Sequence, residues 1–480
     1  MSRPRYAGRI LVLGAGSVSQ CTVPLLVDHL VDRPDRITIL DFVDHRDRFT
    51  EVLAKGVAYL DGQITPENLP EVLGAHLGTG DLLLDLAWNI DANTILSWCH
   101  DHGVLYLNTS VEVWDPYDDA RSMTPQERTL YVRHMALRDL RATFDRPGPT
   151  AVVEHGANPG LVSHWTKQAL VDIATAAVRD GLASAAVPAA LADERYADLA
   201  EALGVKVIHI AERDTQISDR PKLVDEFVNT WSIAGFHEEG IAPAEMGWGT
   251  HERTLPVDAY EHAEGPRNQI CLARPGAMTW VRSWVPHHEI NGMVIRHGEA
   301  FTIADHLTTR NEDGSARYRP TVHYAYCPTD LAIASMRELS ARNWELPPRL
   351  RIMNEEITDG EDRLGVLLMG HPYSAWWTGS LLSIHEARRH APRQSATTLQ
   401  VAASILGALV WTVANPERGI LVPDDLPWRE VLAVADPFLG EHWSGAADWT
   451  PTMHRNDVFE GWRSHRYDDD PWQFANFLVD

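Results

Sequence analysis

The opening strand and the turn that follows it constrain this chain more than any other feature. Residues 9–13, RILVL, form a short apolar run that breaks into GAGSVSQ, and an apolar, periodic segment, CTVPLLVDHLV, comes next. Strand, glycine turn and helix in that order make a dinucleotide-binding opening. Gly14 permits the tight turn, Gly16 lets the backbone approach a pyrophosphate, and the amides at the helix start, around Ser17 and Val18, attract that anion. A second strand, ITILDF, ends at Asp41. Its carboxylate suits an adenosine ribose and repels a 2′-phosphate, so NAD is expected over NADP, a preference moderated by Arg46 and Arg48 nearby. Ser19 stands where a third glycine is usual, and it is small enough for close helix–strand packing.

Further strand candidates follow: GVAYL, DLLLDLAW (81–88), VLYLNTSV (104–111) and AVVEHG (151–156), with helical stretches such as TILSWCHDHG between the later ones. This alternation predicts an α/β fold, an N-terminal Rossmann-type doubly wound parallel sheet. Ligands in such sheets bind beyond the carboxyl ends of the strands. That rule singles out NID (Asp91), NTSVE (Asn108, Thr109, Glu112) and GANPG (Asn158). Asn108, Thr109 and Asn158 join the expected cofactor-binding set. Beyond GANPG, LVSHWTKQALVDIATAAVRDG reads as a long helix with Pro159 at its first position. An alanine-rich helical patch (185–203) and a strand, KVIHIAERDT, follow. The expected domains are 1–160 for NAD, 161–396 as an α+β substrate and dimerisation domain, and 397–480 as a buried helix with a covering tail. The run TTLQVAASILGALVWTVA (397–414) is apolar nearly all round, and we read it as buried in protein rather than as a membrane span.

A net charge of −25 argues against nucleic acid as a partner and suits a cationic one. Four scattered cysteines, Cys21, Cys99, Cys271 and Cys327, form neither a CxxC pair nor a metal-ligand spacing, so reduced thiols, a cytoplasmic location and no metal are expected. The N-terminus runs directly into a strand, so no signal peptide is read there.

A dinucleotide enzyme that oxidises an amine must first free the nitrogen lone pair, which requires a base such as a carboxylate or histidine. The stretch NTWSIAGFHEEG (229–240) places Trp231 beside Glu238 and Glu239. An indole face with carboxylates next to it is a cage for something cationic and oily; a packed loop tryptophan is the competing reading. Glu212 ends the run VIHI with Arg213 beside it, where an ion pair competes with a catalytic role. His297 in IRHGEAFTI, taken alone, reads as a structural histidine.

The segments VLGAGSVSQCTVPLL, EHGANPGLVSHWTKQAL, AERDTQ, NTWSIAGFHEEGIAPAEMGWGTHE, IRHGEAFTIADHLT and DRLGVLLMGHPYSAWWTGSLLS, in this order along the chain, together resemble the bacterial homospermidine synthases, which are related in fold to saccharopine dehydrogenases. The resemblance implies a homodimer with tightly held NAD that joins two putrescines into homospermidine with loss of ammonia, spermidine being an alternative aminobutyl donor. It also implies that Trp231 steadies a charged intermediate and Glu239 binds the inner amine. Asn158, Glu212 and His297 would line the same pocket. Glu112, Asp91 and Asp362 would be the acids nearer the entrance and the nicotinamide ring, with Glu238 a further substrate contact. Ser19 and Gln20 depart from the family's usual glycine and basic residue. Two rivals stand beside this reading. One is a saccharopine- or carboxynorspermidine-type NAD(P)-dependent imine reductase, which needs a pocket arginine such as Arg213, Arg282 or Arg296; the other is a non-catalytic binder of NAD or polyamines.

Overall fold

The computed structural model of this chain describes residues 5–116, 122–455, 462 and 467–479. Its first sheet is built from β1 (Ile10–Leu13), β2 (Ile37–Asp41), β3 (Ala58–Asp61), β4 (Leu82–Asp85), β5 (Leu105–Asn108) and β6 (Ala151–Val152). They lie in the order β3-β2-β1-β4-β5-β6, every neighbouring pair parallel, which is the doubly wound arrangement. β1, β4 and β5 are buried throughout, as unbroken apolar runs covered on both faces should be.

The glycine turn between β1 and helix α1 (Ser17–His29) is braced by the two residues that depart from the family pattern. The Ser19 hydroxyl donates to the Gly14 carbonyl at 2.5 Å, and the Gln20 amide donates to the Ala15 carbonyl at 3.0 Å. Gly14 has φ +88°, and a Cβ there would sit 2.8 Å from the Leu86 carbonyl oxygen, so only glycine serves.

The long helix after β6 spans Leu161–Asp180 and begins two residues later than the sequence suggests. Pro159 follows a cis peptide bond and belongs to the turn, its carbonyl accepting from the Gly156 amide at 2.7 Å. Gly160, at φ +134°, is the N-cap and lies outside helical space, which is why the helix starts at Leu161. The alanine-rich patch forms two short helices, Val187–Ala192 and Tyr196–Leu203.

The second sheet has ten strands around β7 (Val207–Asp214). β7 pairs in parallel with Thr321–Cys327 and antiparallel with Glu361–Met369. Past residue 396 the chain serves both sheets: Ile420–Leu421 extends the first beside β6, and Glu441–Ala447 extends the second beside Ala375–Ser383.

Between the sheets runs the helix Ala396–Ala414. By length and composition it could cross a membrane, yet most of it is buried inside the protein. It packs on α1, β5 and β6 of the first domain and on the strands Glu361–Met369 and Ala375–Ser383 of the second. An apolar surface on every side is what a helix enclosed by two domains requires. Leu406 on this helix is fully buried. Leu406→Ala should lower stability by about 2–5 kcal/mol, read as a fall in the thermal unfolding temperature; an unchanged transition would mean the helix is not a shared core.

Candidate active site

At the first glycine turn, helix α1 begins with Gly16 as its N-cap, so no side chain accepts from the first-turn amides. A Cβ built on Gly16 would meet nothing within 4 Å. Open space in front of unsatisfied donors is what a pyrophosphate needs. Asp41 accepts from the amides of Ala15 at 2.6 Å and Val43 at 2.8 Å, which holds its carboxylate at the turn where a ribose would lie. Arg46 donates to Asp61 at 2.7 Å, and Arg48 faces Asp47 and Glu355, so both guanidiniums are engaged by carboxylates instead of being held for a 2′-phosphate. These residues fit NAD.

A cavity of about 200 Å³ lies beyond the carboxyl ends of β4, β5 and β6, against the second domain. Val18, Ala87, Thr109, Gly156 and Asn158 line it from the first domain. Glu212, Trp231, Glu239, His297 and Tyr324 face them from the second, and Thr397, Thr398 and Val401 of the apolar helix close one side. All five residues expected to be catalytic therefore share one chamber.

Their hydrogen bonds divide into two groups. Asn158 donates from Nδ2 to Glu212 Oε2 at 2.9 Å, and the Tyr324 hydroxyl donates to the same oxygen. Burial raises the Glu212 carboxyl to about 8; the Tyr324 bond opposes this and the nearby Asp214 charge adds to it. In the second group, His297 Nε2 lies 3.2 Å from Glu239 Oε2 and its Nδ1 lies 3.2 Å from Glu299 Oε1. Burial by itself would lower the imidazolium's pKa, but Glu299 and Glu239 outweigh it and hold His297 protonated well above its usual value. Burial also raises Glu239, with the His297 charge opposing. The Trp231 indole N–H donates to the Tyr326 hydroxyl at 2.9 Å, which sets the ring's orientation. A Cβ on Gly235 would lie 3.1 Å from that ring, so the small residue admits the indole.

The acids assigned to the entrance are distributed differently. Glu112 lines the cavity, accepts from Ser110 at 2.8 Å and lies 3.9 Å from Arg133. Asp91 is outside the cavity lining: its carboxylate caps the helix Ala92–His102, accepting from the Thr94 amide and hydroxyl, each at 2.7 Å. A carboxylate one residue ahead of a helix is drawn to its free amides. Asp362 is not at an entrance either. It is fully buried behind Thr397, whose hydroxyl donates to it at 2.5 Å, and burial followed by the charges of Glu212 and Asp214 pushes its pKa well up. Glu238 lines the cavity but spends its carboxylate on Trp88, Arg133 and Arg296. Asn108 points into the interior, donating to the Tyr106 hydroxyl at 2.9 Å and accepting from the Glu154 amide at 2.7 Å. Asn108 is therefore absent from the cavity lining, whereas Thr109, just past the end of β5, lines it.

Of the three arginines considered for a substrate carboxylate, only Arg296 lines the chamber. Arg213 is bound to Asp330 and Arg282 to Glu289. Reading the sequence missed Arg133, Glu154, Glu299 and Tyr324. Glu154 and Glu299 are the acids of motifs already singled out, EHGANPG and RHGE. Arg133 carries no local signal, since its partner Glu238 is far away in sequence. Glu154 is fully buried against His134 at 2.9 Å, and that partner keeps its pKa low in spite of burial.

Residues 10–152 match the family described as "Saccharopine dehydrogenase NADP binding domain", and residues 156–443 match "Saccharopine dehydrogenase C-terminal domain". The homospermidine synthase of Mesorhizobium japonicum is 39% identical, over 98% of this chain and 96% of its own length. That of Blastochloris viridis is 41% identical, over 99% of this chain and 98% of its own. The crystal structure of a homospermidine synthase from Legionella pneumophila, in complex with NAD, superposes with a TM-score of 0.88 at 38% identity, covering 100% of this chain and 99% of that one. Full-length identity near 40% and a fold shared from end to end place this chain in the homospermidine synthase family, built on the saccharopine dehydrogenase architecture.

Proposed function

We propose that this protein is an NAD-dependent homospermidine synthase, moving an aminobutyl group from putrescine, or from spermidine, onto a second putrescine with release of ammonia. One observation carries the reading: Glu112, Glu154, Glu212, Glu238 and Glu239 surround a chamber that also presents Trp231. The two arginines lining it, Arg133 and Arg296, are both bound to Glu238. The chamber therefore favours an alkyl diamine with a charge at each end.

The glycine turn, Asp41 and Thr109 would hold NAD, which when bound would supply a hydride acceptor and, later in the same turnover, the donor. The chain's own residues handle protons and charge. Glu239 binds the inner ammonium group. Glu212, steadied by Asn158 and Tyr324, accepts a proton from it, which frees the nitrogen lone pair. His297, kept charged by Glu299, returns a proton to the departing ammonia. Trp231 offers its ring to the iminium that forms on the substrate, and the aliphatic wall of Val18, Ala87 and Val401 limits water to what imine hydrolysis requires. The reading extends to a homodimer, as the family resemblance implies, and to the cytoplasm, supported by four unpaired cysteines. It includes neither a nucleic-acid nor a membrane partner, in keeping with the acidic charge and the internal position of the apolar helix.

Incubation with putrescine and NAD⁺ should yield homospermidine and ammonia with no net change in NADH; stoichiometric accumulation of NADH would instead indicate an enzyme of the imine-reductase type running in its oxidative direction. Trp231→Ala should lower kcat/KM by roughly 30-fold, the equivalent of about 2 kcal/mol of cation–π stabilisation, with NAD binding unchanged; full activity would remove the indole from the mechanism.

Glu212 sets a pH dependence. The free carboxyl ionises only as pH rises towards about 8, so kcat/KM for putrescine should climb across neutral pH, and Glu212→Gln should lose that limb. Between 4.5 and about 8 the folded chain holds a proton that the unfolded chain releases, so this group makes stability fall with rising pH. Glu212→Gln should therefore gain thermal stability over the parent at pH 8 relative to pH 5. An equal difference at both values would contradict the raised pKa.

A further inference from the structure

The Glu238 carboxylate in the chamber wall is bound by two guanidiniums and an indole N–H. Arg133 Nη2 donates to its Oε1 at 2.8 Å, Arg296 Nη2 donates to the same oxygen, and the Trp88 indole N–H donates to Oε2 at 2.9 Å. Arg133 comes from the helix Leu130–Thr143 of the first domain, Arg296 from the second, and Trp88 from the segment after β4. All four residues line the cavity. Neither guanidinium depends on Glu238 for its position: Arg133 Nη1 is also held by the Val111 carbonyl at 2.8 Å, and Arg296 Nη1 by the Arg128 carbonyl at 2.8 Å. Three donors thus converge, from separate anchors, on the place of one carboxylate.

We infer that Arg133, Arg296 and Trp88 form a carboxylate-binding site in the chamber wall, that Glu238 occupies it as a built-in ligand, and that this occupation makes the pocket select plain amines over amino acids. The inference rests on the amine-binding reading of the chamber. Ornithine makes the consequence clear, being putrescine with a carboxylate added at one carbon. Inside this chamber its carboxylate finds the two guanidiniums already satisfied and Glu112, Glu238 and Glu239 close by, so it is repelled. The other acids near the arginines are poor substitutes for Glu238. Burial pushes Glu112 up to about 7, with the Glu238 charge adding to it, and burial likewise pushes Glu245 up to about 7. Burial would raise Glu238 as well, but Arg296 and then Arg133 outweigh it and keep it ionised.

The test is a gain of carboxylate binding. Butyrate and its neutral isostere butyramide are titrated against the NAD-loaded parent and Glu238→Gln, with thermal shift as the binding readout and inhibition of putrescine turnover as the kinetic one. Glu238→Gln should bind butyrate at least about tenfold more tightly than the parent does, competitively with putrescine, while butyramide affects neither. The kcat/KM ratio of ornithine to putrescine should rise by a similar factor. Equal butyrate binding by parent and variant overturns the inference, as does a response to butyramide as large as that to butyrate. Removing one partner of a buried ion cluster can unfold a protein, so a second variant, Arg133→Gln with Glu238→Gln, restores the charge balance. It should fold and show a smaller gain than Glu238→Gln but one still above the parent; no gain overturns the inference too. Thermal shift does not require turnover. A parent that makes no homospermidine therefore counts against the proposed activity, and a productive parent whose variants ignore butyrate counts against the carboxylate site alone.

Discussion

Both sheets of this protein pack against the same apolar helix, and the reaction chamber lies where it does because of that sharing. Residues 396–414 bury their side chains against α1, β5 and β6 on one side and against strands of the second sheet on the other. The N-terminal turn of this helix then meets the carboxyl ends of the first sheet's strands, where Thr397, Thr398 and Val401 form a wall of the chamber. One turn further along, the Ser404 hydroxyl donates to the Gly156 carbonyl at 2.5 Å, tying the helix to the GANPG turn that presents Asn158. The chain completes the arrangement by returning to each sheet once more, at Ile420–Leu421 and at Glu441–Ala447.

With the domains held in this way, the chamber can collect carboxylates that no single domain would tolerate together. Burying a carboxylate is costly unless a cation or hydrogen-bond donors compensate it. Here compensation is uneven, and function follows from the unevenness. Glu238 and Glu154 have full partners and stay ionised; Glu212, Glu239 and Glu112 are under-compensated and have raised pKa values. The under-compensated group is the one able to bind an arriving ammonium or take its proton, because the substrate provides the missing charge.

Much of the fold was legible in sequence. The strand, the glycine turn and Asp41 are local features within about forty residues, and β1, β2, β4, β5 and β6 fall inside the segments their apolar patterns marked; β3 runs one residue past its segment, and the edge strand Ile420–Leu421, supplied from far along the chain, had no such signal. GANPG led to the chamber through its place at a strand end, and NTWS through an indole beside carboxylates; RHGE led there only through the family resemblance. Asp91 and Asn108 show the limit of the strand-end rule. Both sit at strand or helix ends, yet Asp91 is captured by the amides of the helix it precedes, and Asn108 points inward because of its place in the pleat.

By itself, the sequence determined the doubly wound sheet and the NAD-type turn, because these depend on periodicity and on contacts between near neighbours. Only the tertiary structure decided how the charges are shared. Arg133 meets Glu238 across 105 residues and Asp362 meets Thr397 across 35. Whether a carboxylate serves as base, cap or counter-ion depends on which donors lie within about 3 Å of it, and that distance is set by the packing of two domains on a shared helix.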